Sequence, residues 1–388
     1  MKFTITALGA LALTSTLATT SAMAGGLDRT GLNYGLLFEE GKRAEIGFSR
    51  VSPSVSGTFA PAFGGSSTGN MANSYTSYSL AFKADLTEKL SFGIYLTTPY
   101  GASAQYKVFP YAGLNADWES KQLAGLLRYK ITPSVSVYGG LRSVTSSAKI
   151  AIPDALIRGG LAASGSPTGA FLAANASAGS LAYTANGEKD TQSGYVVGAA
   201  FEKPEIALRV GLTYESGMTH SFRTTELIPA VPSVSGVGTT IVEIPQSVKL
   251  DFQSGVAKDT LVFGSIKWAE WSVWEVRPPG YNALTGSDVT SFDNNVISYQ
   301  IGIGRKLNEN LSVFARAGYE KANGGVASRL APTDGSRSIG IGGSYTKDNM
   351  KITGGIEYVK LGDAVDGSGT RFAGNSATGV GISVSFGF

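Results

Sequence analysis

Tight turns and long loops alternate without exception between segments whose hydrophobicity has a period of two. No other feature of this chain restricts its fold as much. Alternate residues of a strand point to opposite faces, so Ala44, Ile46 and Phe48, or Tyr78, Leu80 and Phe82, give one apolar face to each segment. Fourteen such segments follow residue 43. Six connections are tight and polar, among them Thr87-Glu88-Lys89, Lys203-Pro204 and Asn308-Glu309-Asn310. Seven are long, roughly 52–74, 101–115, 146–192, 216–245, 272–295, 321–335 and 361–378. An even strand number, with short turns at one rim and long loops at the other, is the pattern of membrane barrels. The expected fold is therefore all-β, a 14-stranded antiparallel transmembrane β-barrel.

The second face supports this reading. It carries Ser77, Ser79, Lys83, Arg209, Thr213, Gln300, Arg316 and Glu357, which suit a wet lumen. A soluble sandwich or propeller would also alternate, but it would bury one face in a dry core and has no need of alternating loop lengths. Hydrocarbon offers no partner to backbone N–H and C=O groups, so only a closed ladder can cross it with strands. Tyr129, Tyr214, Tyr319, Tyr345 and Tyr358 sit near segment ends, as interfacial aromatics do. The ninth segment is irregular. Leu261 and Phe263 are apolar on one parity, and Val262, Ile266 and Trp268 on the other, which predicts either a bulge or an upper part that leaves the membrane.

Other classes fit poorly. The 51 glycines lack a collagen period, and the many Tyr, Phe and β-branched residues argue against disorder. There is no cysteine and no His/Cys metal cluster, and no cofactor is expected. The charge of +3 carries no basic stripe, so no nucleic-acid partner is expected. His220, the one histidine, has Ser216 and Ser221 nearby but no evident third partner, so the chain does not read as an enzyme.

The start of the chain reads as a signal peptide, residues 1–24: Lys2, an apolar run from Ile5 to Leu17, and Ala22-Met23-Ala24 as the cleavage site. Residues 25–42 are too apolar for a loose tail and are expected to fold into the lumen as a short N-terminal plug. Residues 43–388 form the barrel with its long extracellular loops. The alternation Val380, Ile382, Val384, Phe386, Phe388 resembles the closing strand of bacterial outer-membrane barrels, which implies the barrel assembly machinery as a partner and outer-membrane lipid as the surroundings.

The whole mature chain resembles the FadL-type transporters of long-chain fatty acids and hydrocarbons in Gram-negative outer membranes. The residues that carry this are Gly26-Leu27-Asp28-Arg29, Gly41-Lys42-Arg43-Ala44-Glu45, Thr98-Pro99-Tyr100-Gly101, Trp268-Ala269-Glu270-Trp271-Ser272 and the Phe388 end. The chain departs from the family pattern in its shorter plug and in lacking Asn-Pro-Ala near the mature start. The resemblance implies a monomer that passes a hydrophobic small molecule, a fatty acid or hydrocarbon. It also implies a kinked third strand with a lateral opening, for which Gly93, Pro99 and Gly101 are the nearby backbone breakers, though Pro-Tyr-Gly also suits an ordinary strand end.

Ligand contacts are expected in two places. The third long loop holds Leu156, Ile157, Leu161, Phe171 and Leu172, more large apolar side chains than a wet loop requires. They would line a capturing groove, or else pack the loops into a lid. Arg158 could grip a carboxylate there, with Lys321 and Arg329 as weaker candidates. Leu32, Tyr34, Leu37 and Phe38 of the plug would be the next apolar station. The alternative function is a general diffusion porin for small polar solutes, and an adhesin using the loops is a third class.

Overall fold

The computed structural model describes residues 27–388, and the segment read as a signal peptide lies outside them. Seventeen hydrogen-bonded segments make one antiparallel sheet, and three of them continue the preceding strand after a short break, which leaves fourteen barrel strands. These are β1 (Arg43–Ser54), β2 (Tyr75–Asp85), β3 (Leu90–Thr97, continued Gly101–Gln105), β4 (Asn115–Lys130) and β5 (Val135–Ile152). Then come β6 (Tyr183–Lys203), β7 (Leu208–Glu215, continued Met218–Leu227), β8 (Gly236–Ile244, continued Ser247–Ala257), β9 (Thr260–Ala269) and β10 (Val296–Lys306). The last four are β11 (Leu311–Glu320), β12 (Ser336–Lys347), β13 (Met350–Leu361) and β14 (Ser376–Gly387). β1 pairs with β14 from Arg43↔Gly387 to Ser54↔Ser376 and with β2 on its other side, so the sheet closes.

The outward face is the expected apolar band. Ile46, Phe48, Leu80, Leu127, Ile301, Ile341 and Ile382 are large, apolar and exposed. On β4 the band ends where exposed Lys121 and Glu119 succeed Leu123, so this strand rises above the bilayer. β7 and β8 rise too, with a change of parity. Below Ser216-Gly217 the outward residue is Leu212, whereas above it Thr219, Ser221, Arg223 and Thr225 face out. The break in β8 at Pro245-Gln246 lies beside it, so the two strands shift together.

The ninth strand keeps an unbroken register against β10, from Thr260↔Arg305 to Ala269↔Val296. A bulge interrupts its pairing with β8, but on the β8 side, between Gly255 and Ala257, and beyond Ala269 the chain leaves the sheet for a 3₁₀ turn at Trp271–Val273. Leu261 and Phe263 turn inward and fill the lumen with Phe314, whose ring centroid is 6.4 Å from that of Phe263. An apolar residue on the lumen face is stable here because it meets another one rather than water.

The long loops are folded. Loop three contains α1 (Asp154–Ala163) and α2 (Pro167–Asn175), and loop five contains α3 (Pro279–Thr285). Ile157 and Leu161, one helical turn apart, give α1 its buried face. α2 starts with Pro167 and an N-cap in which Ser166 Oγ accepts from Gly169 N. Short strands Gly57–Thr58, Val326–Ala327, Ala364–Asp366 and Arg371–Phe372 from loops one, six and seven join in a separate four-stranded sheet.

Candidate functional site

Besides the small cluster at Leu261 and Phe314, two apolar clusters occupy the inside of the barrel, and the N-terminal segment, residues 27–42, touches both. The outer one runs from Ile157 and Leu161 of α1, through Trp118, Phe222, Trp271 and Trp274, to Leu27 and Tyr100. The inner one joins Leu32, Tyr34, Leu36 and Leu37 to wall residues Tyr95, Leu126, Tyr138 and Val196. A polar layer lies between them. Tyr34 Oη donates to Glu215 at 2.5 Å, Arg142 pairs with the same carboxylate at 2.6 Å, and Asp28 pairs with Lys267 at 2.5 Å. A cavity of about 150 Å³ beside this layer is bordered by Asp28, Tyr34, Glu215, Lys267 and Glu320.

The inner cluster fixes the N-terminal segment. A short 3₁₀ turn, Tyr34–Phe38, buries Leu37 completely. Arg128 donates to Leu37 O at 3.2 Å, pairs with Glu202, and lies over the Phe38 ring. Leu37 and Phe38 are thus occupied with anchoring the segment, while Leu32 and Tyr34 border the polar cavity. Gly93 serves the same packing. An added Cβ there would come within 2.9 Å of Leu37 Cδ2 and of the Tyr95 ring.

The third strand is broken at Thr98–Tyr100, with Pro99 inside the break and Gly101 after it. Gly93 does not break it, because it pairs regularly with Lys83 and Leu126. Below the break β3 pairs with β2 from Asp85↔Ser91 to Leu80↔Leu96, and there the ladder stops. Contact returns only at Ala72↔Ala104, with Asn73 N donating to Ser103 O at 3.2 Å. Tyr75–Ser79 of β2 therefore have a strand on the β1 side but none on the β3 side.

The backbone of β3 is not left unpaired at this gap. Arg29 N donates to Pro99 O at 2.8 Å, Thr30 N to Thr98 O at 3.1 Å, and Gly101 N to Leu27 O at 2.9 Å. The N-terminal segment supplies the hydrogen bonds that a neighbouring strand would otherwise make, as a structure facing lipid requires. Arg29 lies in the gap itself. Its guanidinium is 3.2 Å from the Tyr75 ring centroid, and its Nε lies 2.6 Å from where a Cβ on Gly101 would be.

Behind the gap is a mainly apolar cavity of about 60 Å³, bordered by Arg29, Tyr75, Gly101, Trp118, Trp274 and Phe292. Trp118 and Trp274 are 95% and 96% buried, yet neither indole N–H has a partner. A buried donor left unpaired costs about 1–3 kcal/mol. Trp271 and Trp274 reach this place because the loop after β9 turns inward through a 3₁₀ turn, Trp271–Val273. Their three-residue spacing was the signal in the sequence, but period-two reasoning could not place them.

At the outer rim, Leu156, Ile157 and Leu161 border a groove of about 640 Å³, closed on its other side by Tyr281, Val289, Arg329 and Leu330. Glu226 holds α3 in place by accepting from Tyr183 Oη at 2.9 Å, Gly280 N at 2.9 Å and Tyr281 N at 2.8 Å. Leu172 packs against the outer cluster, while Phe171 is exposed. Arg158 is taken up by Asp154 at 2.8 Å and by Ala173 O, tying α1 to α2. Arg329 Nε donates to Tyr111 Oη at 3.2 Å, and Lys321 is exposed in loop six. His220 has a partner that its sequence neighbours did not reveal: Nδ1 lies 2.8 Å from Asp190, while Nε2 is buried without a partner, so no serine hydroxyl is engaged.

The sequence matches the family described as outer membrane protein transport protein (OMPP1/FadL/TodX) over residues 15–371. The chain belongs to that family. Like its members, it is an outer-membrane β-barrel that transports hydrophobic compounds, and it is not an enzyme. Its fold resembles a Pseudomonas aeruginosa FadL homologue at a TM-score of 0.70, with 12% identity and coverage of 91% of this chain and 92% of the other. The toluene transporter TodX of P. putida gives 0.68, with 16% identity and coverage of 94% and 97%. The toluene transporter TbuX of Ralstonia pickettii gives 0.61, with 16% identity and coverage of 90% of each chain. A search of curated proteins finds no match.

Proposed function

We propose that this transporter gathers a hydrophobic small molecule in the rim groove beside α1, lowers it among the aromatic residues above the N-terminal segment, and releases it sideways between β2 and β3. The observation that carries the reading is the outer cluster: one run of buried apolar side chains connects the groove at Ile157 with Leu27 and Tyr100 at the gap. Each CH₂ taken from water is worth about 0.8 kcal/mol, so such a lining favours a hydrophobe at every step and offers little to a polar solute. The N-terminal segment acts as a stopper for the straight route to the periplasm, which leaves the wall gap as the way out.

Two measurements test this together: uptake of a radiolabelled hydrophobe by cells making the protein, and ion conductance across planar bilayers. Saturable uptake with only rare, small openings is expected. Large, steady conductance without uptake would identify a diffusion porin and refute the proposal.

A further inference from the structure

Arg337, Lys360 and Lys321 stand together on the outside of the barrel, at its extracellular edge. Arg337 lies at the start of β12, and Lys360 is directly opposite it near the end of β13. Lys321 follows β11 two residues beyond Tyr319, which is itself opposite Arg337. All three are exposed, and among the described residues none of them makes an ion pair or a side-chain hydrogen bond. The carboxylates of this wall are turned away. Glu320 and Glu357, the ones carried by β10–β14, are buried on the lumen side. In the adjoining loops, Asp334 accepts from Asn323 N at 2.8 Å and Gly324 N at 2.7 Å, and Asp363 pairs with Arg371 at 3.7 Å. Elsewhere on the rim, outward charges come in both signs. Lys121 shares the outer edge of β4 with Glu119, and Arg223 of β7 pairs with Glu188 of β6.

Like charges directly across an antiparallel pair are destabilising. Arg337 and Lys360 are held in that relation by an unbroken register, from Ser336↔Leu361 to Lys347↔Met350. An anion between them turns the repulsion into attraction. The level of the cations says what carries that anion. Tyr319 and Tyr358 are exposed beside and just below them, as aromatics at a membrane interface are. Lower on the same face, Ile339, Ile341 and Ile356 are exposed. A free anion would have no use for these isoleucines, whereas acyl chains would lie along them. With strands about 4.8 Å apart, the row is wide enough for more than one phosphate.

We propose that the outer face of β11–β13 binds the phosphorylated headgroup of a lipid in the outer leaflet. Arg337, Lys360 and Lys321 hold the phosphates, and the acyl chains run down over Ile339 and Ile356. Arg337 takes a phosphate through two parallel bonds, while the lysines act as point charges. The inference concerns the wall and not the passage, so it stands or falls apart from the transport reading.

The test uses the full-length protein in a non-ionic detergent, with bound lipid counted by native mass spectrometry. The probes are diphosphoryl lipid A, monophosphoryl lipid A and phosphatidylcholine. The wild type is expected to bind them in that order of affinity. Each cation near an anionic surface accounts for about a fivefold effect. Arg337→Gln combined with Lys360→Gln should therefore weaken diphosphoryl lipid A about thirtyfold and leave phosphatidylcholine unchanged. Lys121→Gln, on the mixed-charge edge of β4, should alter neither. Equal binding of the three lipids by the wild type overturns the proposal. So does an unchanged affinity for diphosphoryl lipid A in the double variant, or an equal loss in Lys121→Gln, which would mean diffuse attraction only. Should the double variant fail to fold, Lys360→Glu decides. It gives Arg337 a carboxylate partner, so the barrel should melt no lower than the wild type and the preference for phosphorylated lipid should vanish. A preference that survives Lys360→Glu overturns the proposal.

Discussion

Leu37→Ala separates a removable stopper from a structural part of the wall. The Leu37 side chain is fully buried between Tyr95, Leu126 and Tyr138, with Gly93 beneath it. Close packing by neighbours that belong to rigid strands leaves little room to collapse, so the cavity persists. Leucine-to-alanine changes at such sites cost about 3 kcal/mol or more. That loss falls on the docking of residues 27–42, because the strand ladder gains and loses no hydrogen bond. At about 1.4 kcal/mol per factor of ten, the undocked state rises roughly a hundredfold. The assay is single-channel recording in planar bilayers, paired with thermal unfolding of the barrel followed by gel mobility. Openings should become roughly a hundred times more frequent while the barrel melts as before. Wild-type conductance together with a lowered barrel melting temperature would refute the reasoning, because the segment would then unfold only with the barrel.

Further predictions concern other parts of the passage. Gly93→Val should displace the Leu37 side chain and expose residues 27–42 to protease in intact barrels, while unchanged protection would count against the packing described. Glu226→Ala should leave three donors around α3 without their acceptor, at about 1–3 kcal/mol for a buried group, and hydrogen exchange at 279–285 should quicken while the transmembrane strands stay protected. Arg158 holds the Asp154 carboxyl below its ordinary value of 3.8, so this pair contributes stability above that pH and loses it as pH falls further. Proteolysis within α1 and α2 should therefore rise only below about pH 4, and a rise near neutrality would exclude the pair as the cause.

The barrel was legible because its two-sided surroundings impose a period of two on nearly every strand, and the turn chemistry marks one rim. Reading failed where that period has another meaning. Met218–Leu227 and Gly236–Ile244 belong to strands but looked like loop, because the outward residues Thr219, Ser221, Arg223 and Thr225 are polar and the inward face mixes Met218 and Phe222 with His220, Thr224 and Glu226. The third long loop did contain the groove residues Leu156, Ile157 and Leu161, since an apolar helix face is local information. Arg158 looked available only because its partner, one turn back along α1, is visible as an ion pair once the helix exists. The gap was half visible. Pro99 and Gly101 marked the break, but nothing in the sequence told that Leu27, Arg29 and Thr30 would supply the missing hydrogen bonds.

The small sheet outside the barrel bears on how the cylinder is finished. β1 and β14 meet along twelve residue pairs, and that junction joins the two ends of the ladder. Directly beyond it, Gly57↔Phe372 and Thr58↔Arg371 stitch loop one to loop seven, and Val326↔Val365 draws in loop six. The seam is thus clasped at its outer end by the loop sheet, and at its inner end Phe388 N donates to Lys42 O at 3.0 Å. Once the clasp has closed, the two strands can part from the extracellular side only after the loop sheet has come apart.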